Sequence, residues 1–154
     1  MASGAKWRVV DHTAKSAKRE AAKKHPTLKV GVTETTASGP HPKSVRPVGD
    51  IAFFNEFGTM TSPARSFVRD WVDGNLDKIT KQIGTDLLRV LFTPTEQMSQ
   101  ALARRGKEYR RLMVKRIQER IPPPNRPATL AQKVGDIPLI DTETLLDAII
   151  YEVK

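Results

Sequence analysis

Apolar residues recur along this chain with two different periods, and the switch between them divides it into elements. Leu28, Val30 and Val32 alternate with Lys29, Gly31 and Thr33, the period of two of a half-buried strand. A second strand is predicted over Asp50 to Phe57, with Ile51, Phe53 and Phe57 on one face. The spacing then becomes helical: Phe67, Val68, Trp71, Val72, Leu76, Ile79, Ile83, Leu87 and Leu91 follow Ser62 as a cap and Pro63 as a first helical residue. This helix is expected to supply most of the core. Thr93-Pro94-Thr95-Glu96 combines a capping box with an early proline and starts a second long helix. Its stripe is Met98, Leu102, Tyr109, Leu112, Met113, Ile117 and Ile121, and Pro122-Pro123-Pro124 ends it. A short helix near Glu143 to Asp147 precedes a closing strand marked by Ile149, Tyr151 and Val153, which is expected to pair with the strand begun at Leu28.

Three further stretches complete the reading. Trp7, Val9 and Val10 form an apolar entry to an Ala- and Lys-rich helix over Thr13 to Lys24. Glu34 to Gly49 holds Pro40, Pro42, Pro47 and Gly39, so neither a helix nor a central strand is expected there, and a projecting arm is. Asn125 to Asp136 reads as a turn-rich connector. The pattern amounts to an α+β fold, with a small antiparallel or mixed β-sheet packed against two long helices and a long projecting loop (34–49) between two strands. Residues 1–154 are read as a single domain, a length that buries roughly 70% of the surface of the unfolded chain.

Composition alters this picture mainly through charge. The net charge is +9, and it is concentrated. Residues 1–25 carry seven Lys or Arg against two acids, and residues 104–120 carry eight against two, which leaves the rest of the chain slightly acidic. Patches of this kind meet polyanions or acidic protein surfaces, or are solvated helix faces. With no cysteine, disulfides, thiolate metal sites and thiol nucleophiles are excluded. No apolar run approaches the roughly 20 residues of a membrane span, and Met1 to Val10 lacks the apolar core of a secretory signal, so a cytoplasmic product without a membrane partner is expected.

Candidate chemistry is sparse. His12, His25 and His41 fall on three different elements and form no cluster by spacing. Asp70, Asp73 and Asp77 share a helix face, but Arg69, Lys78 and Lys81 are near enough to make it an ordinary solvated ion-paired face instead of a cation site. No phosphate-binding glycine loop, Gly-x-Ser-x-Gly elbow or His-Glu-x-x-His helix is present. No enzyme activity and no cofactor are therefore expected. Arg104, Arg105, Arg110 and Arg111 are the candidate polyanion contacts. Only Tyr109 lies among them, which points to phosphate contact without base reading.

Two motif blocks carry a resemblance. Ile51-Ala52-Phe53-Phe54-Asn55-Glu56-Phe57-Gly58-Thr59 followed by Ser62-Pro63-Ala64-Arg65-Ser66-Phe67-Val68 resembles the bacteriophage tail-completion, or head-tail joining, family, in which a strand ends in Asn-Glu-Phe-Gly-Thr and Pro-Ala-Arg-Pro-Phe opens a long helix. The stretch from Pro122 through Asn125-Arg126-Pro127 to Pro138-Leu139-Ile140-Asp141-Thr142 is similar to the C-terminal part of that family. The blocks cover about half the chain. Ser66 replaces a second proline, and Glu143 replaces a glycine that serves a tight turn.

The resemblance implies a structural virion protein at the neck of a tailed phage, made in the host cytoplasm. It would assemble as a homo-oligomeric, typically hexameric, ring touching connector or adaptor and tail-tube proteins, with genomic DNA passing through the lumen. Asn55, Glu56, Phe57, Gly58, Arg65, Phe67, Pro138, Leu139 and Thr142 are its structural and interface motif residues. In physical terms Phe57 is expected to plug the core, Gly58 to free the backbone, and Glu56 to pair with Arg65. The alternative function is a basic nucleic-acid-binding or packaging accessory protein acting through phosphate contacts.

Overall fold

The computed structural model describes residues 26–93, 95–133 and 135–154. The apolar entry, the expected helix over Thr13 to Lys24, His12, His25 and Pro94 of the capping box lie outside them. Strand β1 (Leu28–Val32) is followed by a one-turn helix α1 (Glu34–Ala37) and by α2 (Val48–Phe57). The long helices α3 (Val68–Phe92) and α4 (Met98–Gln118) come next, then a turn of helix α5 (Pro127–Leu130), the short α6 (Thr144–Ala148) and strand β2 (Ile149–Val153).

The two strands pair antiparallel, with Leu28 opposite Val153 and Val32 opposite Ile149, as their alternation predicts. Thr27 and Lys154 exchange both backbone hydrogen bonds, 2.7 and 3.0 Å. Lys29 and Gly31 therefore bond inward to β2, while the N–H and C=O groups of Leu28, Val30 and Val32 face away from β2. The sheet lies on α4 at Gly106, where a Cβ would stand 2.5 Å from the Tyr151 ring and 2.8 Å from Leu28. Only glycine lets the two backbones approach this closely.

The core gathers Ala52, Phe67, Trp71, Tyr109, Met113, Ile117, Ile121, Leu145 and Ile149. Most of it comes from α4, which buries Ala101, Leu102, Gly106, Tyr109, Met113 and Ile117, whereas the longer α3 buries only Trp71, Asp86 and Val90. The expectation that the first long helix dominates the core is corrected for a geometric reason. Among the described residues, α4 lies between the sheet and α3 and is covered on two sides, whereas α3 packs mainly on α4.

Three sequence expectations change here. Residues 50–57 are helical, not a strand: Val48, Ala52 and Glu56, one turn apart, form the buried face, and the alternation of Ile51 and Phe53 is incidental. Residues 34–49 are no free arm. Thr36 Oγ1 donates to the Ala148 carbonyl at 2.7 Å, Val48 N–H closes onto Gly39 O at 2.9 Å, and Lys43 reaches Asp141 at 3.1 Å, so only the tip around the fully exposed Val45 stands out. Finally, α3 starts at Val68 and not at Ser62-Pro63, because Thr59 and Ser62 are tied to each other in a turn.

Candidate interaction surface

The first motif block folds as a helix end, a turn and a helix start locked together by one carboxylate. Glu56, buried at the end of α2, accepts from the Phe67 and Val68 N–H groups with Oε2 (2.9 and 3.0 Å) and from the Arg69 N–H with Oε1 (3.0 Å). These are orphan donors of the first turn of α3, so a distant side chain does the work of an N-cap and sets negative charge at the positive end of the helix dipole. Ser66 donates its hydroxyl to the Glu56 carbonyl at 2.9 Å. Gly58 has φ +78° and lies so close to Ala64 N that a Cβ would come within 2.8 Å, which makes glycine obligatory in this turn.

Arg65 does not pair with Glu56. Its backbone N–H bonds to the Asn55 carbonyl at 2.6 Å, and its guanidinium donates to the carbonyls of Pro123 (2.8 Å) and Pro124 (3.2 Å). Burial, and then the nearby Arg126, push its pKa down. Arg65 thus joins the two motif blocks, which are far apart in sequence. The second block completes the junction: Pro138 is buried, and Asn55, Leu139 and Thr142 line one small cavity of about 210 Å³ with His41 and Leu145. Thr142 Oγ1 meets Thr144 Oγ1 at 2.8 Å and His41 Nε2 at 3.4 Å. Glu143 adopts φ +58°, so the glycine-like turn before α6 is kept here by a strained non-glycine residue.

Of the motif residues only Phe57 turns away. It is 57% exposed instead of plugging the core, because the buried line of α2 is Val48, Ala52 and Glu56 and Phe57 lies off it. Its ring packs on Phe53 at 4.7 Å with Arg69 over it at 5.1 Å. The two rings border an open, mainly apolar groove of about 730 Å³ between α2 and α3, lined also by Val32, Val72, Asp50 and Asp73.

Three of the four candidate arginines are already engaged within the chain. Arg105 grips the buried Asp86 of α3 with two hydrogen bonds (2.6 and 3.1 Å) and Glu108 with a third (2.9 Å), and these acids raise its pKa. Gln82 and Tyr109 extend this clasp between the long helices. Arg104 pairs with Glu96, which also holds Arg89 at 2.8 Å; Glu96 therefore ties the tip of the helical hairpin together, and α4 starts after Gln97. Arg110 donates to the Ile149 carbonyl at the edge of β2 (2.7 Å). Arg111 is exposed and has no ion-pair partner among the described residues, and with Lys107 and Lys115 it makes a basic ridge on the outside of α4.

No protein family, curated protein or solved structure matches the chain. Among the described residues, no group of three His, Asp or Glu side chains is placed to hold a metal ion, and no helix is long and apolar enough to cross a membrane. Asp70 instead meets Arg116 at 3.7 Å.

The residues that sequence reading missed as structural determinants are Asp86, Gly106 and the cluster around Glu152, and Glu96, expected in a capping box, ties the hairpin instead. Glu152 accepts from the Thr33 and Thr35 hydroxyls (2.6 and 2.5 Å) and sits 3.0 Å from Lys154, contacts that hold its carboxyl down at about 2. For Asp86 a signal exists: it falls one turn from both Gln82 and Val90 on the face that meets α4.

Proposed function

We propose that this chain is a structural subunit of a ring at the neck of a tailed bacteriophage, completing the tail and joining it to the connector while DNA passes through the lumen. One observation carries the proposal. The two family-like motif blocks, far apart in sequence, build a single rigid junction through Glu56 and Arg65, and beside it leave Phe53, Phe57 and the outer flank of α3 open. A chain that spends its motif residues on scaffolding and keeps large apolar side chains uncovered acts through surfaces. Among the described residues, the N–H and C=O groups of Leu28, Val30 and Val32 on the side of β1 away from β2 add backbone groups available to a neighbour.

The basic ridge of Lys107, Arg111 and Lys115 supplies the charge for a DNA path or an acidic neighbour. The packaging-accessory alternative is weakened because Arg104, Arg105 and Arg110, three of its four candidate phosphate contacts, are engaged inside the chain. The test is genetic. Removing the gene from the phage is expected to give filled heads and finished tails that stay apart in the lysate; normally joined, infectious particles lacking this chain would refute the proposal.

A further inference from the structure

This inference rests on the ring reading and names the surface that closes the ring. At roughly 100° per residue, Val72, Leu76, Ile83 and Leu87 fall within a band about 60° wide along α3. Its exposed members, Leu76, Ile83 and Leu87, are centred a quarter turn or more from Trp71, Gln82 and Asp86, which meet α4, while Val72 at the edge of the band packs against the core. Leu76, Ile83 and Leu87 are 56%, 37% and 41% exposed, and at its N-terminal end the band continues into the groove bordered by Phe53 and Phe57. Since an aromatic side chain covers roughly 150–250 Å² and an aliphatic one somewhat less, the exposed parts of the band and of the two rings leave on the order of 500 Å² of apolar surface open. This is near the top of what a monomer keeps, and a polar rim would bring it to the roughly 800 Å² per partner of a stable interface.

The rim identifies the partner. Asp73 and Asp77, one turn apart on the outer margin of the band, are exposed carboxylates with no ion-pair partner among the described residues. Lys107 and Arg111, also one turn apart and without an ion-pair partner among the described residues, sit on the outer face of α4, followed a turn later by Lys115. We infer that the occupant of the α3 band is a second copy of this chain, presenting its Lys107–Arg111–Lys115 ridge. The one-turn spacing is the same on both surfaces, and the aliphatic stems of the cations cover the apolar band while their heads reach the carboxylates. A contact between two different surfaces passes from copy to copy and can close into a ring, whereas the band packed on itself would leave both charged sets unmatched.

The experiment uses the full-length protein with two charge reversals, D73K/D77K and K107E/R111E, followed by sedimentation velocity and thermal melting. All four side chains are exposed, so both variants should melt like wild type. Each alone juxtaposes like charges, which costs several kcal/mol, and should raise the concentration needed for assembly by about a hundredfold or more. Mixed in equal amounts the two variants have complementary faces and should regain the wild-type mass. A wild-type ring whose mass neither reversal alters removes this contact and leaves the ring reading standing. A mixture that stays dissociated also overturns it. Wild-type protein that never assembles sinks both this contact and the ring reading.

Discussion

Replacing Glu56 by alanine tests how the first motif block works. The residue is 8% exposed, and its side chain holds three N–H groups at the start of a 25-residue helix. Hydrogen bonds to a charged group contribute about 1.5–3 kcal/mol each, but Val68 and Arg69 are partly open, so water can replace two of the three. Phe67 is 1% exposed, and its N–H would be stranded at about 1–3 kcal/mol. With the lost charge at the helix end adding up to ~2 kcal/mol, Glu56→Ala should destabilise the domain by about 3–4 kcal/mol. In a chain of this size 1 kcal/mol moves the melting temperature by roughly 2–4 °C, so Tm should fall by about 6–16 °C. Glu56→Gln keeps one acceptor oxygen and should lose about half as much. Circular dichroism melts and urea titrations read both numbers. An alanine variant within about 1 kcal/mol of wild type would show that this carboxylate does not hold α3.

Other perturbations probe the remaining contacts. Arg105→Ala leaves the Asp86 carboxylate buried without its partner and should cost about 3–5 kcal/mol in urea unfolding, whereas Asp86→Leu combined with Arg105→Met should come out near neutral. Gly106→Val should drive β2 off α4 and lower Tm, and adding Tyr151→Ala should recover part of the loss, because the Tyr151 ring is what the new side chain meets. The folded Glu152 carboxyl is held at about 2, below its ordinary 4.5. Its contribution is therefore complete above pH 4.5 and is lost as pH falls from there toward 2. Glu152→Gln should flatten that limb of the urea midpoint against pH, and an unchanged acid limb would show that the Thr33 and Thr35 hydroxyls do not hold the charged form.

Where apolar period and burial coincided, the sequence was legible. Leu28, Val30 and Val32 form the expected strand, the Ile149–Val153 strand pairs with it, and the stripe from Leu102 to Ile121 faces the core. Reading failed where a polar group replaced an apolar one on a buried face. The buried line of α2 ends in Glu56, and the α4-facing line of α3 includes Asp86, so counting apolar residues gave a strand in the first case and misplaced the core in the second. Capping signals misled for a similar reason. Ser62 and Thr93 have cap chemistry, but Glu56 supplies the N–H partners of α3 from another helix, and Glu96 is drawn to Arg89 and Arg104 across the hairpin. The contacts between the two motif blocks were not legible: Asn55, Leu139 and Thr142 line one cavity, and Arg65 bonds to proline carbonyls that sequence spacing could not connect.

Everything proposed about function requires that copies of this chain assemble through their surfaces. Light scattering of the purified full-length protein, alone and mixed with tail-tube protein, measures that directly. A single discrete mass equal to a small whole number of subunits, in either condition, is the predicted result; a monomer in both would contradict the account.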